Sequence, residues 1–275
     1  MCTVWYMTHT TSPVSPGRLA AVAALAAALL VPATAGAATS APTVEVAVGD
    51  HAITLAGAGH VRPGPVRLHL SGDSLGEPRT IAVVALARGS DPAAGDLDAL
   101  RRAGRLVAGA NLSAGNDYAT TITARGHSYA IVDVTSADGG QARFAVAGRN
   151  SGARPPRSDA SIAIRDHGFD LPSALPADGV LRIANRGARL HEVTAFRLPA
   201  STSVAEARRI VIRGGSFARL GTATTLNGLV APGVVNRVEA HLRRGRYLVA
   251  SLYAPPTREG RPDVLRGLVA STRVR

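Results

Sequence analysis

The stretch Gly245–Leu268, GRYLVASLYAPPTREGRPDVLRGL, has the layout of a β-strand followed by a long loop. The strand is entered through Gly245 and Tyr247, and a Pro-rich loop follows it, with Pro262 and Gly267 framing the second part of the loop. Glycine and proline mark such turns because glycine tolerates a positive φ and proline fixes its own. The stretch therefore predicts a strand and loop of a β-protein.

A second copy of this pattern lies earlier in the chain. Before Tyr129 and before Tyr247, an alternating run meets a turn with a basic residue and glycine, and a strand follows. Likewise Thr80–Leu86 and Glu192–Leu198 are β-rich runs at an offset of 112 residues. Short strands at intervals of roughly ten residues, separated by Gly, Pro and Asp, are typical of an all-β sandwich. We expect two tandem Greek-key β-sandwiches.

A short helix is predicted in each copy, after the matching strands. Asp91 is a good N-cap, with Pro92 at the first helical position. Ser203 and Glu206 have the spacing of a capping box. The two start signals stand at the same offset of 112 residues, which predicts a shared unit of strand and short helix.

The predicted boundaries follow from the repeat and from changes in composition. Residues 43–147 form the first domain and residues 160–275 the second. Between them, residues 148–159 are rich in Gly, Pro and Arg and lack an apolar period, so they are predicted to be a linker.

The N-terminal residues 1–38 have the pattern of a secretory signal peptide. Arg18 is their only charge, Leu19–Val31 is apolar throughout, and small residues suited to cleavage follow. An uncleaved anchor is the alternative, but this apolar run is shorter than the ~20 residues that span a bilayer. We expect a protein secreted to the extracellular space or associated with the cell envelope, without a transmembrane span after cleavage.

The charge is concentrated in the second half. Residues 39–150 hold ten Arg and ten acidic residues, whereas residues 151–275 hold twenty Arg and nine acidic residues, a net charge of +11. Such asymmetry suggests an anionic partner, and a solvated basic surface is the alternative. Arg243, Arg244 and Arg246 are the candidate anion-binding residues because a turn lets guanidinium groups project. The few aromatic residues argue against specific nucleic-acid binding.

The second half resembles the cupredoxin family of small copper proteins. The resemblance rests on the segments Phe169–Pro172, Asn185–Gly187 before His191, Val230–Gly233, and Gly245–Tyr247 with the loop after it. It covers about residues 160–275, and it extends to residues 43–147 only through the internal repeat. The resemblance implies a β-sandwich and, in typical members, a type 1 copper site.

The four copper-ligand positions that the resemblance implies are largely changed. His191 is retained, but Ser251 stands at the Cys position, Asp263 at the second His position and Leu268 at the Met position. In the first copy the aligned places hold Arg79 and Asp133.

A blue-copper site needs a thiolate, two imidazoles and a weak axial thioether. The only Cys is Cys2, and the only Met residues are Met1 and Met7. The sequence therefore predicts a protein without type 1 copper and without a cofactor.

Two further residue patterns bear on function. Gly72–Leu75 matches the Gly-Asp-Ser-Leu signature of secreted esterases, but the Asp-x-x-His that supplies their base is missing, and a Ser without a base is not activated. His167, His191 and Asp263 could form a weak type 2 Cu or Zn site with hard ligands.

We expect a non-catalytic binding module rather than an enzyme. Its predicted partner is an anionic polymer of the cell envelope or lipid headgroups, bound through the basic second domain.

Overall fold

Two series of strands with the same order build this protein. The computed structural model describes residues 40–73, 75–92, 95–135, 138–213, 217–255 and 261–275. The predicted signal peptide, residues 1–38, and Ser74 of the Gly-Asp-Ser-Leu motif lie outside the described residues.

The first half contains β1 (Thr43–Val48), β2 (Ile53–Ala56), β3 (Gly64–Ser71), β4 (Arg79–Leu86), α1 (Leu97–Ala103), β5 (Gly104–Leu112), β6 (Asp117–Ala124), β7 (Ser128–Asp133) and β8 (Gln141–Ala145). The second half contains β9 (Ala160–Arg165), β10 (Gly168–Asp170), β11 (Ala174–Leu175), β12 (Asp178–Asn185), β13 (His191–Arg197), α2 (Val204–Arg213), β14 (Thr222–Val230), β15 (Val235–His241), β16 (Gly245–Ala250) and β17 (Val269–Val274).

The strands pair in the same way in both halves. β1 runs parallel to β3, as β9 does to β12. Antiparallel pairs join β3 with β6, β4 with β5 and β7, and β7 with β8. The second half repeats them as β12 with β15, β13 with β14 and β16, and β16 with β17. The prediction of an all-β fold with a short helix in each half is therefore confirmed.

An eight-stranded sheet runs through both halves, in the order β10-β9-β12-β15-β6-β3-β1-β2. At its centre β6 and β15 pair antiparallel, with Thr120 opposite Val238. These two residues are 118 positions apart, as are the turn residues Tyr129 and Tyr247. Because equivalent residues face each other across an antiparallel pair, an approximate two-fold axis relates the halves. They share one sheet, and the chain from Ala38 onward forms a single unit.

The remaining strands form a separate sheet in each half, and the edge strands of these two sheets meet. The sheets have the orders β5-β4-β7-β8 and β11-β17-β16-β13-β14. Gly109 of β5 lies against Gly228 of β14, where a Cβ on Gly228 would be 2.3 Å from the carbonyl carbon of Gly109. The two backbones approach too closely for a side chain, so both positions need glycine.

Polar contacts reinforce the junction of the halves. Arg67 of β3 forms a bidentate ion pair with Glu239 of β15, with the Nε–Oε1 and Nη2–Oε2 distances at 2.5 and 2.8 Å. Deeper in the junction, the Asn236 amide donates to the carbonyl oxygen of Val107 at 3.0 Å and to Oδ1 of Asn227 at 3.1 Å. These bonds hold β15 in register with the first half, because a shift by one residue would separate the paired side chains.

The main hydrophobic core is continuous across the halves. Leu68 and Ile122 of the first half and Leu181 and Val238 of the second belong to one buried cluster. Each helix covers the separate sheet of its own half. Leu100 of α1 is buried against the sheet of the first half, and Ala207, Ile210 and Val211 of α2 are buried against the sheet of the second.

The helix starts only partly follow the sequence prediction. α2 begins as expected, since the Ser203 hydroxyl accepts from the Glu206 N–H at 3.1 Å, although the Glu206 carboxylate binds Arg219 instead of reaching back. The prediction of Asp91 as an N-cap was wrong. α1 begins at Leu97 and is capped by Asp96, whose Oδ1 accepts from the Ala99 N–H at 2.9 Å. Asp91 instead pairs with Arg143.

The tyrosines that enter β7 and β16 close equivalent turns. Tyr129 accepts a hydrogen bond from the Arg125 N–H, and Tyr247 donates one to the carbonyl oxygen of Arg243, both at 2.8 Å. In each case the phenol reaches back four residues. This shared contact explains why the sequence repeat keeps a tyrosine after the turn.

The segment predicted to be a linker is attached to both halves. The Ser151 N–H donates to the carbonyl oxygen of Pro63 in the first half, and the Asp159 N–H donates to that of Val180 in the second, both at 2.8 Å. Among the described residues, no helix has the length and apolar character needed to cross a membrane.

Candidate functional site

Four positions that the copper-protein resemblance singled out lie together in the second half. His191 starts β13, Ser251 follows β16, Asp263 opens a 3-10 turn over Asp263–Arg266, and Leu268 precedes β17. The Nδ1 atom of His191 is 2.7 Å from Oδ2 of Asp263, and the Ser251 hydroxyl donates to the same oxygen at 2.7 Å. All four side chains are buried. We refer to His191, Ser251, Asp263 and Leu268 as the buried cluster.

A further carboxylate, which the sequence analysis missed, completes the surroundings of the imidazole. Asp166 lies in the turn between β9 and β10, with Oδ1 at 3.1 Å from Nε2 of His191. Both Asp166 oxygens also accept from the Ala188 N–H, at 2.9 and 3.0 Å. Asp166 is the neighbour of His167, which the sequence did single out, but nothing in the sequence showed which of the two turns inward.

The turn before His191 is shaped by Asn185 and Gly187. The Asn185 amide donates to the carbonyl oxygens of Arg189 and Val230, and its Oδ1 accepts from the Gly187 N–H. A Cβ on Gly187 would lie 2.6 Å from Oδ1 of Asp166 and 2.9 Å from Nε2 of His191. Because Gly187 of this Asn-x-Gly turn has no side chain, there is room for Asp166 to contact the imidazole of His191.

The two carboxylates favour the charged form of the imidazole. Burial alone would lower the pKa of His191, but the hydrogen bonds and charges of Asp263 and Asp166 outweigh burial, and the pKa is raised. Burial likewise opposes ionisation of Asp166, but the Ala188 N–H and His191 outweigh it, and the pKa of that carboxyl is lowered. The site is suited to an imidazolium held between two carboxylates.

The chemistry open to the buried cluster is narrow. Both imidazole nitrogens face carboxylate oxygens, so neither presents a free lone pair to a metal ion or to a proton on a substrate. The Ser251 hydroxyl donates to the Asp263 carboxylate, a weaker base than an imidazole, and makes no hydrogen bond to His191. Beside Ser251, the Glu192 carboxyl accepts from the Leu252 N–H at 3.0 Å, and burial raises the pKa of this carboxyl.

Of the residues named for the alternative type 2 metal site, His191 and Asp263 are in contact, but His167 does not join them. His167 is exposed, and its neighbour Asp166 takes the inward position. Within the described ranges, no group of three or more His, Cys, Asp or Glu side chains is arranged to hold a metal ion.

The equivalent positions of the first half also carry a charge pair. Nη1 of Arg79 lies 3.4 Å from Oδ2 of Asp133, and Nη2 lies 3.3 Å from Oδ1 of Asp50. Asp133 is buried, and its Oδ1 accepts from the Thr135 N–H at 2.8 Å.

The arginines proposed for anion binding do not form one group. Arg243 and Arg244 are exposed at the turn between β15 and β16. Arg246 differs from the expectation, because its Nη2 donates to the carbonyl oxygens of Pro199, Ala200 and Thr202 at 3.0–3.1 Å. Its guanidinium holds the loop before α2 instead of projecting from the turn.

The comparisons with known proteins give distant structural likenesses. No family model matches the chain, and no curated protein matches it. Among solved structures, it is similar to auracyanin from the photosynthetic bacterium Roseiflexus castenholzii (14% identity, TM-score 0.28, covering 42% of this chain and 95% of that one). It is also similar to a multicopper oxidase (12%, 0.26, 85% and 88%) and to the copper nitrite reductase of Nitrosomonas europaea (12%, 0.25, 85% and 93%). These scores are too low to assign copper or catalysis to this chain.

Proposed function

We propose that this protein is a cupredoxin-like β-sandwich without type 1 copper that acts as a secreted, non-catalytic binding module of the cell envelope or extracellular space. The observation that supports this most is the buried cluster. Residues at the positions of the resembled copper ligands meet in space, yet a hydroxyl, a carboxylate and an alkyl group accompany the single imidazole.

This donor set is unsuited to type 1 copper. Such a site depends on a soft thiolate and a weak axial thioether. Ser251 and Leu268 provide neither, and Asp263 already uses one carboxylate oxygen for both His191 and Ser251. The cluster satisfies its own hydrogen bonds, so we assign it a structural role in the sandwich. The weak type 2 metal site has less support because carboxylates face both nitrogens of His191.

The proposed partner is anionic because the second half has a net charge of +11. Exposed arginines attract anionic polymers or headgroups, and guanidinium groups suit phosphate contacts. Arg243 and Arg244 are exposed at one turn and are the proposed contact residues. Secretion is proposed from the pattern of residues 1–38.

Binding to vesicles across a salt series tests the proposed anion-binding surface. Phosphatidylglycerol vesicles should retain the protein at low salt, phosphatidylcholine vesicles should not, and retention should fall at high salt because exposed charges are screened. Retention on heparin resin over the same salt series tests binding to an anionic polymer. Changing both Arg243 and Arg244 to Gln should weaken retention more than changing Arg208 and Arg209, which are exposed on α2 and provide a matched loss of two charges. Equal losses in the two variants would contradict a specific contact at the turn.

A further inference from the structure

A cleft of about 600 Å³ opens where the two halves meet. The end of α1 and the start of β5 form one wall, and the turns after β12 and β14 form another. The loop after β16 and the 3-10 turn that begins at Asp263 complete it. Its volume lies within the range of pockets that hold small organic molecules.

Four arginines line this cleft: Arg101, Arg105, Arg189 and Arg266. No Asp or Glu is among the described residues that line it. Arg101 contacts Asp98 at 3.3 Å, and Arg105 donates to the carbonyl oxygen of Pro232. Several guanidinium groups facing one cavity create a positive potential, which favours an anion.

Arg266 gives the clearest sign of a missing partner. Its Nη1 atom is buried and has no hydrogen-bond partner among the described residues. A buried charged donor without an acceptor is costly, and a turn of this guanidinium towards an acceptor bound in the cleft that Arg266 lines removes the cost. Arg266 ends the 3-10 turn whose first residue, Asp263, is held by His191 and Ser251. The buried cluster thus positions this arginine at the cleft.

The other lining groups are apolar. Leu106, Leu190, Pro232 and Tyr253 contribute alkyl and aromatic surface around the guanidinium groups. A pocket with apolar walls and a few convergent polar groups recognises an organic molecule by one charged end and one apolar body. A bare inorganic ion would leave these walls uncovered.

We propose that the cleft between the halves binds a small organic oxyanion, a carboxylate or phosphate attached to an apolar or aromatic body. The oxyanion contacts Arg266 and Arg189, and the body lies against Leu190 and Tyr253. This inference goes beyond the proposed function, because the cleft is distinct from the exposed turn of Arg243 and Arg244 and takes a small molecule instead of a surface.

Calorimetric titration of the purified protein tests the cleft with defined probes. Phenyl phosphate and benzoate should bind, and the tighter of the two identifies the preferred oxyanion. Phenol has the same ring without the charge, and inorganic phosphate has the charge without the ring. Both should bind more weakly. Equal binding of phenol would overturn the role of the arginines, and equal binding of inorganic phosphate would overturn the role of the apolar walls.

Single substitutions locate the site. Arg266→Gln and Arg189→Gln should each weaken the better probe by roughly tenfold or more, since hydrogen bonds to charged groups are strong. Arg208→Gln removes the same charge on α2, outside the cleft, and should leave the affinity unchanged. If thermal unfolding shows that Arg266→Gln is not folded, the affinity of Arg189→Gln, a change at an exposed residue, tests the site by itself. Equal affinities of Arg189→Gln and Arg208→Gln would overturn the proposal, whereas vesicle binding would remain a separate result.

Discussion

The Nδ1 atom of His191 lies 2.7 Å from Oδ2 of Asp263, in a contact that joins residues 72 positions apart in the chain. The sequence resemblance aligns both residues with copper-ligand positions. In the first half, the equivalent region holds the Arg79–Asp133 ion pair. In each half of the sandwich, a basic side chain and a carboxylate meet in this region.

The stability that His191 provides should depend on pH. Its pKa is raised above 6.5 in the folded protein, so its interactions with Asp263 and Asp166 are fully present below about pH 6.5 and are lost as the pH rises through the folded pKa. His191→Gln should therefore be destabilised most on the acidic side of this range. Urea unfolding of both proteins from pH 5 to 9 measures the difference. A difference that grows with rising pH would contradict this sign.

Removing the charge of Asp263 should destabilise the fold. Asp263→Asn keeps the size of the side chain but gives His191 and Ser251 a weaker acceptor, and we expect a loss of about 1–3 kcal/mol in the free energy of unfolding. Asp178→Asn is the matched control, since Asp178 pairs with His241 at 3.0 Å with both side chains about 80% exposed. That pair should contribute little. Equal effects at the two sites would show that burial of the Asp263 contact is unimportant.

Placing the type 1 copper ligands at these positions should create a copper site. The combined changes Ser251→Cys, Asp263→His and Leu268→Met, with His191 kept, supply a thiolate, two imidazoles and a thioether. With Cu(II), this variant should show an intense blue thiolate-to-copper absorption, and the unchanged protein should not. Adding His191→Gln to the variant should abolish the colour. A folded but colourless triple variant would show that these positions are not arranged as a copper site.

Gly228 should not tolerate a side chain. Gly228→Ala places a Cβ against the backbone of Gly109, so β5 and β14 must separate, and we expect a loss of about 1–3 kcal/mol. Gly59→Ala is the control, because a Cβ there meets nothing within 4 Å. Chemical unfolding gives both values. If Gly228→Ala is as stable as Gly59→Ala, the two strands do not need this close approach.

The strand pattern was predictable from the sequence because its signals are local. Tyr129 and Tyr247 each follow a turn with glycine, and the strands on either side alternate with a period of two residues, as a half-buried strand requires. The start of α2 at Ser203 could likewise be predicted, since a capping residue acts within one turn of helix. The first helix was placed too early because both Asp91 and Asp96 are residue types that suit an N-cap. In the structure Asp96 caps the helix, whereas Asp91 pairs with Arg143.

The sequence by itself determined the all-β class, the doubling of the strand pattern and the chemistry available at each position, including the absence of a thiolate from the second half. Only the tertiary structure decided that β6 and β15 join the halves in one sheet, that Asp166 turns towards His191, and that Arg266 lines a cleft while Arg246 binds backbone. The reason is physical: strand period and turn type depend on neighbouring residues, whereas these contacts depend on sheet register and on which segments, tens of residues apart, are packed against one another.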